Sequence, residues 1–179
     1  MTPRSTTREV VWSTLSTTWG PFAVGDDGEA LVGLQFPPGL EASGSPRRRP
    51  LAAALGRELR EYLAGKRTAF RTPIRLEGSP FQMAVWHALG TVPYGEVITY
   101  AELARRLGRP QAARAVGQAL GANPIPIVVP CHRVVGSDSS LGGYGPGLVW
   151  KRRLLELESR TVAQRKNAPP SQPHGATWI

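Results

Sequence analysis

Two helix-start motifs in the middle of the chain constrain its fold more than any other feature. Ser79-Pro80-Phe81-Gln82 combines an N-cap serine, a proline at the first helical position and a glutamine that closes a capping box. Thr99-Tyr100-Ala101-Glu102 repeats the motif before YAELARRLG, and Gly108-Arg109-Pro110 breaks the chain before QAARAVGQALGAN. Two short helices joined by a tight turn that contains glycine predict a helix-turn-helix.

The residues before Ser79 predict a separate, smaller unit. Residues 9–36 contain three β-rich runs, EVVWSTL, GPFAVG and EALVGLQF, with a turn at Asp26-Asp27-Gly28, and they predict a small antiparallel sheet. LAAALGRELREYLAG then has apolar residues at helical spacing and stops at Gly65. The sequence therefore predicts an α+β protein with an N-terminal αβ domain at residues 1–78.

The remaining segments complete the predicted architecture, in which a helix-turn-helix domain occupies residues 79–160. IPIVVP is too short for a helix, so it predicts a buried extended segment that ends at Cys131. GLVWKRRLLELE, at residues 147–158, predicts a last amphipathic helix. Residues 161–179 are rich in polar residues and proline, and we expect them to be a disordered tail.

The charge of the chain favours an anionic partner. There are 22 basic residues against 13 acidic ones, and the formal net charge is +9. Such a balance is typical of proteins that bind nucleic acid or a membrane surface, although an arginine bias in the genome would give the same total. Five arginines in residues 97–133 face only one acid, Glu102, which makes this stretch the better candidate surface. They are Arg105, Arg106, Arg109, Arg114 and Arg133.

Composition and residue spacing argue against four kinds of feature. A single cysteine excludes an internal disulfide, and the three histidines do not have the spacing of a structural zinc site. No stretch approaches the roughly 20 apolar residues that a membrane-spanning helix requires. The glycine-rich loop LGGYGPG lacks the Lys-Ser/Thr of a P-loop, so we expect no nucleotide cofactor. These observations predict an intracellular protein without a metal, a cofactor or a membrane anchor.

Cys131 and His132 are the candidate catalytic pair. A thiol has an ordinary pKa of about 8.5, so a nucleophilic cysteine needs a base, which His132 supplies directly or through one water. Glu158 on the last helix is a candidate to orient His132 if that helix packs back on the cysteine segment. The residues alone leave the alternatives open, because Cys131 also suits a buried apolar position and Glu158 a solvated helix end.

From Ser79 to Glu158 the chain resembles the O6-alkylguanine-DNA alkyltransferases, also called methylated-DNA–protein-cysteine methyltransferases. SPFQMAVW, VPYGEVITYAELA, AARAVGQALGANPIPIVVPCHRVV and LGGYGPGLVWKRRLLELE carry the resemblance in register. It implies a ribonuclease-H-like N-terminal domain and a winged-helix-like C-terminal domain that holds the site. The loop at Arg47-Arg48-Arg49 has no counterpart that we can assign.

The resemblance also implies an activity. The protein would repair double-stranded DNA by moving an alkyl group from O6-alkylguanine, and from O4-alkylthymine, to its own Cys131 after flipping the damaged base. Each molecule would act once, as a monomer, without cofactor or metal. It would work in the cytoplasm, at the nucleoid in a prokaryote.

Roles for individual residues follow from the resemblance. Cys131 would accept the alkyl group, His132 would relay the proton and Glu158 would orient His132. Asn123 would brace the active-site segment, and Tyr100 would donate a hydrogen bond toward N3 of the guanine. Taken singly, Asn123 also suits a capping turn and Tyr100 a core position.

The resemblance assigns a second group of residues to DNA and to the substrate. Arg114 would enter the duplex in place of the flipped nucleotide, although a solvated helix arginine is the alternative. The helix it lies on would dock in the minor groove, where its small residues permit close approach. The implied DNA contacts, besides Arg114 and Tyr100, are Ala113, Gly117 and Ser137, and the implied substrate pocket is Val134, Tyr144 and Gly145.

Three other functions stay open at this point. A non-enzymatic lesion binder of the alkyltransferase-like kind would lack a nucleophile, and Cys131 argues against it. A winged-helix transcription regulator explains the charge but gives no reason for Pro130-Cys131-His132-Arg133 beside a glycine-rich loop. A Cys-His hydrolase requires an oxyanion hole, which the sequence does not locate.

Overall fold

The computed structural model describes residues 8–37 and 49–166. Its N-terminal unit contains a three-stranded antiparallel sheet in the order β1 (Val11–Thr17), β2 (Gly20–Asp26) and β3 (Leu31–Gln35). The side chain of Asp27 accepts hydrogen bonds from the amides of Glu29 and Ala30 and so shapes the turn between β2 and β3. The predicted sheet and its turn are confirmed.

Helix α1 (Pro50–Leu63) packs across β1 and β2. Leu55, Leu59 and Tyr62 recur on its buried face at the spacing that the sequence predicts. The chain leaves the helix at Gly65, which has a φ of +70°. A glycine is required there because other residues adopt this backbone conformation only with strain.

The C-terminal unit begins with three short helices, α2 (Pro80–Leu89), α3 (Tyr100–Arg106) and α4 (Ala113–Gly121). Ser79 and Gln82 form the complete capping box. Thr99 accepts a hydrogen bond from the Glu102 amide, but the Glu102 carboxylate pairs with Arg105 and Arg106, so only half of the second capping box forms. Helices α3 and α4 pack together as the predicted helix-turn-helix.

The segment before Cys131 differs from the prediction. Residues 125–130 are buried as expected, but they are not extended, because the Val129 amide donates to the Ile125 carbonyl and Ile127 has a φ of +76°. A 3-10 turn, Cys131–Arg133, follows directly. This compact path places Cys131 close to the turn after α4.

The last helix, α5 (Leu148–Lys166), is longer than predicted. The sequence suggested an end near residue 158 and disorder from 161, whereas Thr161 is buried and its hydroxyl donates to the Leu157 carbonyl. The helix continues because this face still contacts the core. The rest of the predicted tail, residues 167–179, lies outside the described residues, as do Arg47 and Arg48.

The two units share one apolar core, which supports the α+β fold that the sequence predicts. The β3 residue Leu34 donates its amide to the Pro124 carbonyl, at 2.9 Å, and so joins the sheet to the turn after α4. A short parallel pair, β4 (Ile98–Thr99) and β5 (Val134–Val135), completes the C-terminal unit. None of the helices in the described ranges is both long and apolar enough to cross a bilayer.

Replacing Gly65 by alanine tests the end of α1. A Cβ at this position would lie 2.8 Å from the Thr161 hydroxyl, in a backbone conformation that costs other residues energy. We expect Gly65→Ala to lower the free energy of unfolding by about 1–3 kcal/mol, measured by urea denaturation. Gly121→Ala is the control, since a Cβ there meets nothing within 4 Å. Equal stability of the two variants would contradict this account.

Candidate active site

A cleft of about 470 Å³ opens between α4 and the glycine-rich loop that precedes α5. Cys131 lies at its inner wall and is only 6% exposed. The cleft brings together most of the residues that the sequence implicates in the site. Its lining consists of Tyr100, Ala113, Arg114, Gly117, Gln118, Leu120, Gly121, Cys131, Gly142, Gly143, Tyr144 and Gly145.

Asn123 fixes the segment that carries the thiol. Its side-chain amide donates to the Val129 carbonyl at 2.9 Å and contacts Sγ of Cys131 at 3.1 Å. Its side-chain oxygen accepts from the Ile125 amide at 3.0 Å. One side chain therefore satisfies both ends of the tight turn before Cys131 and touches the sulfur.

His132 and Glu158 form a fully buried pair behind the cysteine. Nε2 of His132 lies 2.8 Å from Oε1 of Glu158. Because an ionised carboxylate only accepts hydrogen bonds, this contact places the imidazole proton on Nε2 and leaves Nδ1 as an acceptor. Nδ1 is buried and has no hydrogen-bond partner within the described part of the chain. Helix α5 therefore packs back on the cysteine segment, which is the condition under which Glu158 could orient His132.

The Glu158 carboxylate is the acceptor for several further donors. Arg133 donates from Nε and Nη2, the Gly95 amide donates at 2.8 Å, and the Tyr62 hydroxyl donates to Oε1. Burial alone would raise the pKa of Glu158, but the hydrogen bond from His132 and the nearby charges outweigh it and lower the pKa to about 2. Glu158 is therefore ionised at neutral pH.

The imidazole of His132 and the thiol of Cys131 are both uncharged at neutral pH. Burial lowers the pKa of His132 below its usual value of 6.5, more than the hydrogen bond to Glu158 raises it. Burial also raises the pKa of Cys131 to about 11, although Asn123 and the charge of Lys151 act in the opposite direction. A neutral imidazole with Nδ1 as an acceptor, carried by the residue next to a protonated cysteine, supplies the base that general-base activation requires.

Lys151 is a further buried charge at the site, and sequence reasoning missed it. Its Nζ donates to three backbone carbonyls, those of Val134 at 2.5 Å, Gly143 at 3.1 Å and Leu141. Burial lowers its pKa to about 8. The ammonium holds the glycine-rich loop against β5, and thus fixes one wall of the cleft. Lys151 lies three positions before Leu154 and seven before Glu158, which places all three on one face of the helix. This spacing could have predicted the burial of Lys151 from the sequence.

Two residues do not lie where the sequence predicted. Arg133 was placed on the basic surface, but it is 7% exposed because Glu158 draws it into the core. Val134 was assigned to the substrate pocket, but it is fully buried in β5 and is absent from the cleft lining. Ser137, which was assigned to DNA contact, is exposed on the loop after β5, and this assignment stays a prediction. Within residues 8–37 and 49–166, no group of three or more His, Cys, Asp or Glu residues is placed to hold a metal ion.

Fold and site together define an α+β protein with a buried thiol beside a helix-turn-helix. Two family models match this chain: the ribonuclease-like domain of 6-O-methylguanine DNA methyltransferase at residues 10–76, and the DNA binding domain of the same family at residues 80–160. The chain belongs to the 6-O-methylguanine DNA methyltransferase family. The family and the two-part fold predicted from the sequence are confirmed.

Individual relatives agree with this assignment. The methylated-DNA–protein-cysteine methyltransferase of Mycobacterium tuberculosis is 43% identical over 153 residues, which cover 82% of this chain and 91% of the relative. The inducible enzyme of Bacillus subtilis is 43% identical over 130 residues, 73% of this chain and 70% of the relative. Among solved structures, Mycobacterium tuberculosis OGT in complex with DNA superposes with a TM-score of 0.76 at 41% identity, over 85% of this chain and 94% of that one.

Replacing Glu158 by glutamine tests the buried charge. The change leaves Arg133 buried without its counter-charge, and we expect it to lower the free energy of unfolding at pH 7 by about 3–5 kcal/mol. Because the folded pKa lies below the ordinary value of 4.5, the charge stabilises the fold above pH 4.5 and this contribution is lost as the pH falls toward 2.

The measurement is urea denaturation of the unaltered protein and of Glu158→Gln at pH 7 and at several values below pH 4.5. The difference between their free energies of unfolding should shrink as the pH is lowered. Glu156→Gln is the matched control, since Glu156 is exposed on the same helix and its loss should change stability by less than about 0.5 kcal/mol. A difference that stays constant with pH would contradict the depressed pKa.

Proposed function

We propose that this protein repairs alkylated DNA by moving the alkyl group from O6 of guanine to Sγ of Cys131 in a single step. The observation that carries the proposal is the position of the thiol, at the inner wall of a cleft whose other wall is helix α4 of the helix-turn-helix. The family and the relative solved in complex with DNA support alkyl-transfer repair with DNA as the partner. O4-alkylthymine is a second substrate in this proposal.

The transfer is a displacement at carbon. Sγ forms a bond to the alkyl carbon while the bond from that carbon to O6 breaks, and the electron pair passes to the departing guanine. The thiol proton goes to Nδ1 of His132, directly or through one water, and Glu158 stabilises the imidazolium that results. Because the pKa of Cys131 is about 11, little thiolate exists at neutral pH and the base is needed during the reaction.

Tyr100 completes the proposed chemistry. Its hydroxyl is 3.5 Å from the Gly143 carbonyl, a long contact that is readily exchanged for one to a substrate. A donor aimed at N3 of guanine would supply a proton as negative charge develops on the leaving base. Gly142 leaves room for the ring, since a Cβ there would lie 2.6 Å from the Tyr100 hydroxyl. The base therefore departs as neutral guanine, and Tyr100 is reprotonated from His132 or solvent.

Helix α4 is the proposed DNA-reading element. Ala113 and Gly117 line the cleft and keep this face of the helix small, which permits close approach to a minor groove. Arg114 is exposed at the cleft mouth, where it would fill the space left by an extruded nucleotide. The cleft volume of about 470 Å³ lies in the usual range for sites that enclose a small molecule, so it accommodates a flipped base.

The remaining residues of the site and the two domains also have roles in this function. Tyr144 and Gly145 form the wall that faces the alkyl group, and Ser137 contacts DNA from its exposed loop. The chain is a monomer of two domains divided after residue 78, and the C-terminal domain extends to the end of α5 at Lys166. The protein acts in the cytoplasm, at the nucleoid if the organism is a prokaryote, because its substrate is the genome.

Mass spectrometry tests the single transfer. After incubation with excess duplex that contains O6-methylguanine, we expect one added methyl group, confined to the peptide that contains Cys131. The chain has no second thiol to remove it, and a thioether is a poor leaving group. Cys131→Ala should bind the duplex and gain no methyl group. Repeated turnover, or binding without any mass change in the unaltered protein, would favour a hydrolase or a lesion binder instead.

A comparison of two substrates tests Arg114. If its side chain only fills the gap in the duplex, Arg114→Ala should slow repair of duplex DNA by about 10-fold or more and change the reaction with free O6-benzylguanine by less than about twofold. Lys66→Ala is the charge-matched control, because Lys66 is exposed in the turn after α1. An equal loss with both substrates would show that Arg114 supports the active site rather than base flipping.

A further inference from the structure

The Tyr62 hydroxyl reaches the candidate active site from the N-terminal unit. It donates to Oε1 of Glu158 and lies 3.4 Å from Nε2 of His132, although 96 residues separate Tyr62 from Glu158 in the chain. The other donors to this carboxylate, His132, Arg133 and Gly95, all belong to the C-terminal unit. Tyr62 lies on α1, a helix that contributes no residue to the cleft.

The position of this hydroxyl is set by the N-terminal core. Tyr62 is fully buried, and its ring packs on Phe70 with centroids 5.1 Å apart. On its other side it packs against Tyr94, edge to face, at 5.5 Å. A ring held between two others has little rotational freedom, so the hydroxyl is a fixed point relative to α1 and its sheet.

We propose that Tyr62 is a positioning residue for alkyl transfer. Its hydroxyl holds Oε1 of Glu158 where that oxygen accepts the hydrogen bond from Nε2 of His132. Oε1 is the shared atom, since both groups donate to it. Holding this oxygen fixes the orientation of the imidazole and the nitrogen that carries its proton, and therefore keeps Nδ1 available to the thiol. This inference rests on the proposed function, because it assumes that His132 is the base.

The hydroxyl also sets how basic His132 is. A hydrogen bond from Tyr62 withdraws negative charge from Oε1, and the same oxygen then stabilises an imidazolium less strongly. Burial already lowers the pKa of His132, while the contact with Glu158 raises it. Loss of the Tyr62 hydroxyl should therefore strengthen the effect of Glu158 and raise the pKa of His132. The acid limb of the rate profile, where His132 becomes protonated and unable to accept a proton, should move to higher pH.

Tyr62→Phe is the test, because it removes the hydroxyl and keeps the ring. The rate of methyl transfer from an O6-methylguanine duplex is measured in single-turnover conditions between pH 5 and 9, with the intact protein. We expect the plateau rate to fall by about tenfold and the acid limb to move to higher pH, with duplex affinity changed by less than about twofold. The matched control is Tyr94→Phe, the same change in the neighbouring ring, which should leave both the plateau and the acid limb unchanged.

The outcomes separate this inference from a purely structural role and from the proposed function. If Tyr62→Phe lowers the urea midpoint but the folded variant keeps the original acid limb, the hydroxyl only stabilises the fold and the inference is wrong, whatever the plateau rate. An equal shift of the acid limb in Tyr94→Phe also overturns the inference, because loss of any hydroxyl near Glu158 would then have the same effect. Absence of transfer in the unaltered protein would instead contradict the proposed function.

Discussion

A buried carboxylate joins the two halves of this protein. Glu158 is 1% exposed and carries a full charge, a combination that is costly unless every oxygen is paired. Here the guanidinium of Arg133 supplies the opposite charge, and a histidine, a tyrosine and a backbone amide supply the remaining hydrogen bonds. Because these donors come from α1, the loop before β4 and the 3-10 turn after Pro130, the charge can be accommodated only when all of these segments are in place.

Helix α5 supplies two buried charged residues to the site. Lys151 and Glu158 lie on the same face, two helical turns apart, and each is buried together with its partners. The ammonium of Lys151 donates hydrogen bonds to three backbone carbonyls and so holds the glycine-rich loop. The carboxylate of Glu158 orients His132. The thiol of Cys131 is uncharged at neutral pH, which limits its reaction with unbound electrophiles and makes transfer depend on a base and a substrate held together.

Local features of the chain were predicted correctly because their causes are local. The capping box at Ser79, the glycine that ends α1 and the turn at Asp27 each depend on residues within a few positions. The same holds for the sheet and the short helices, whose periodicity marks their buried faces. Proximity of Cys131, His132 and Asn123 was expected from the resemblance and is seen in the structure, since all three lie within one compact stretch of chain.

The sequence by itself determined most of the helices and strands, though not the compact path of residues 125–130 or the length of α5, and it determined which residues could carry out thiol chemistry. Tertiary structure decided where the long polar side chains go. Arg133 and Lys151 are cations that solvation would keep at the surface, and they are buried because distant acceptors offset the loss of water. Tyr62 has the spacing of a core residue, and only the tertiary fold, which brings the end of α1 to Glu158 on α5, gives its hydroxyl a carboxylate to bind. Such pairings join residues far apart in the chain, and no local pattern encodes them.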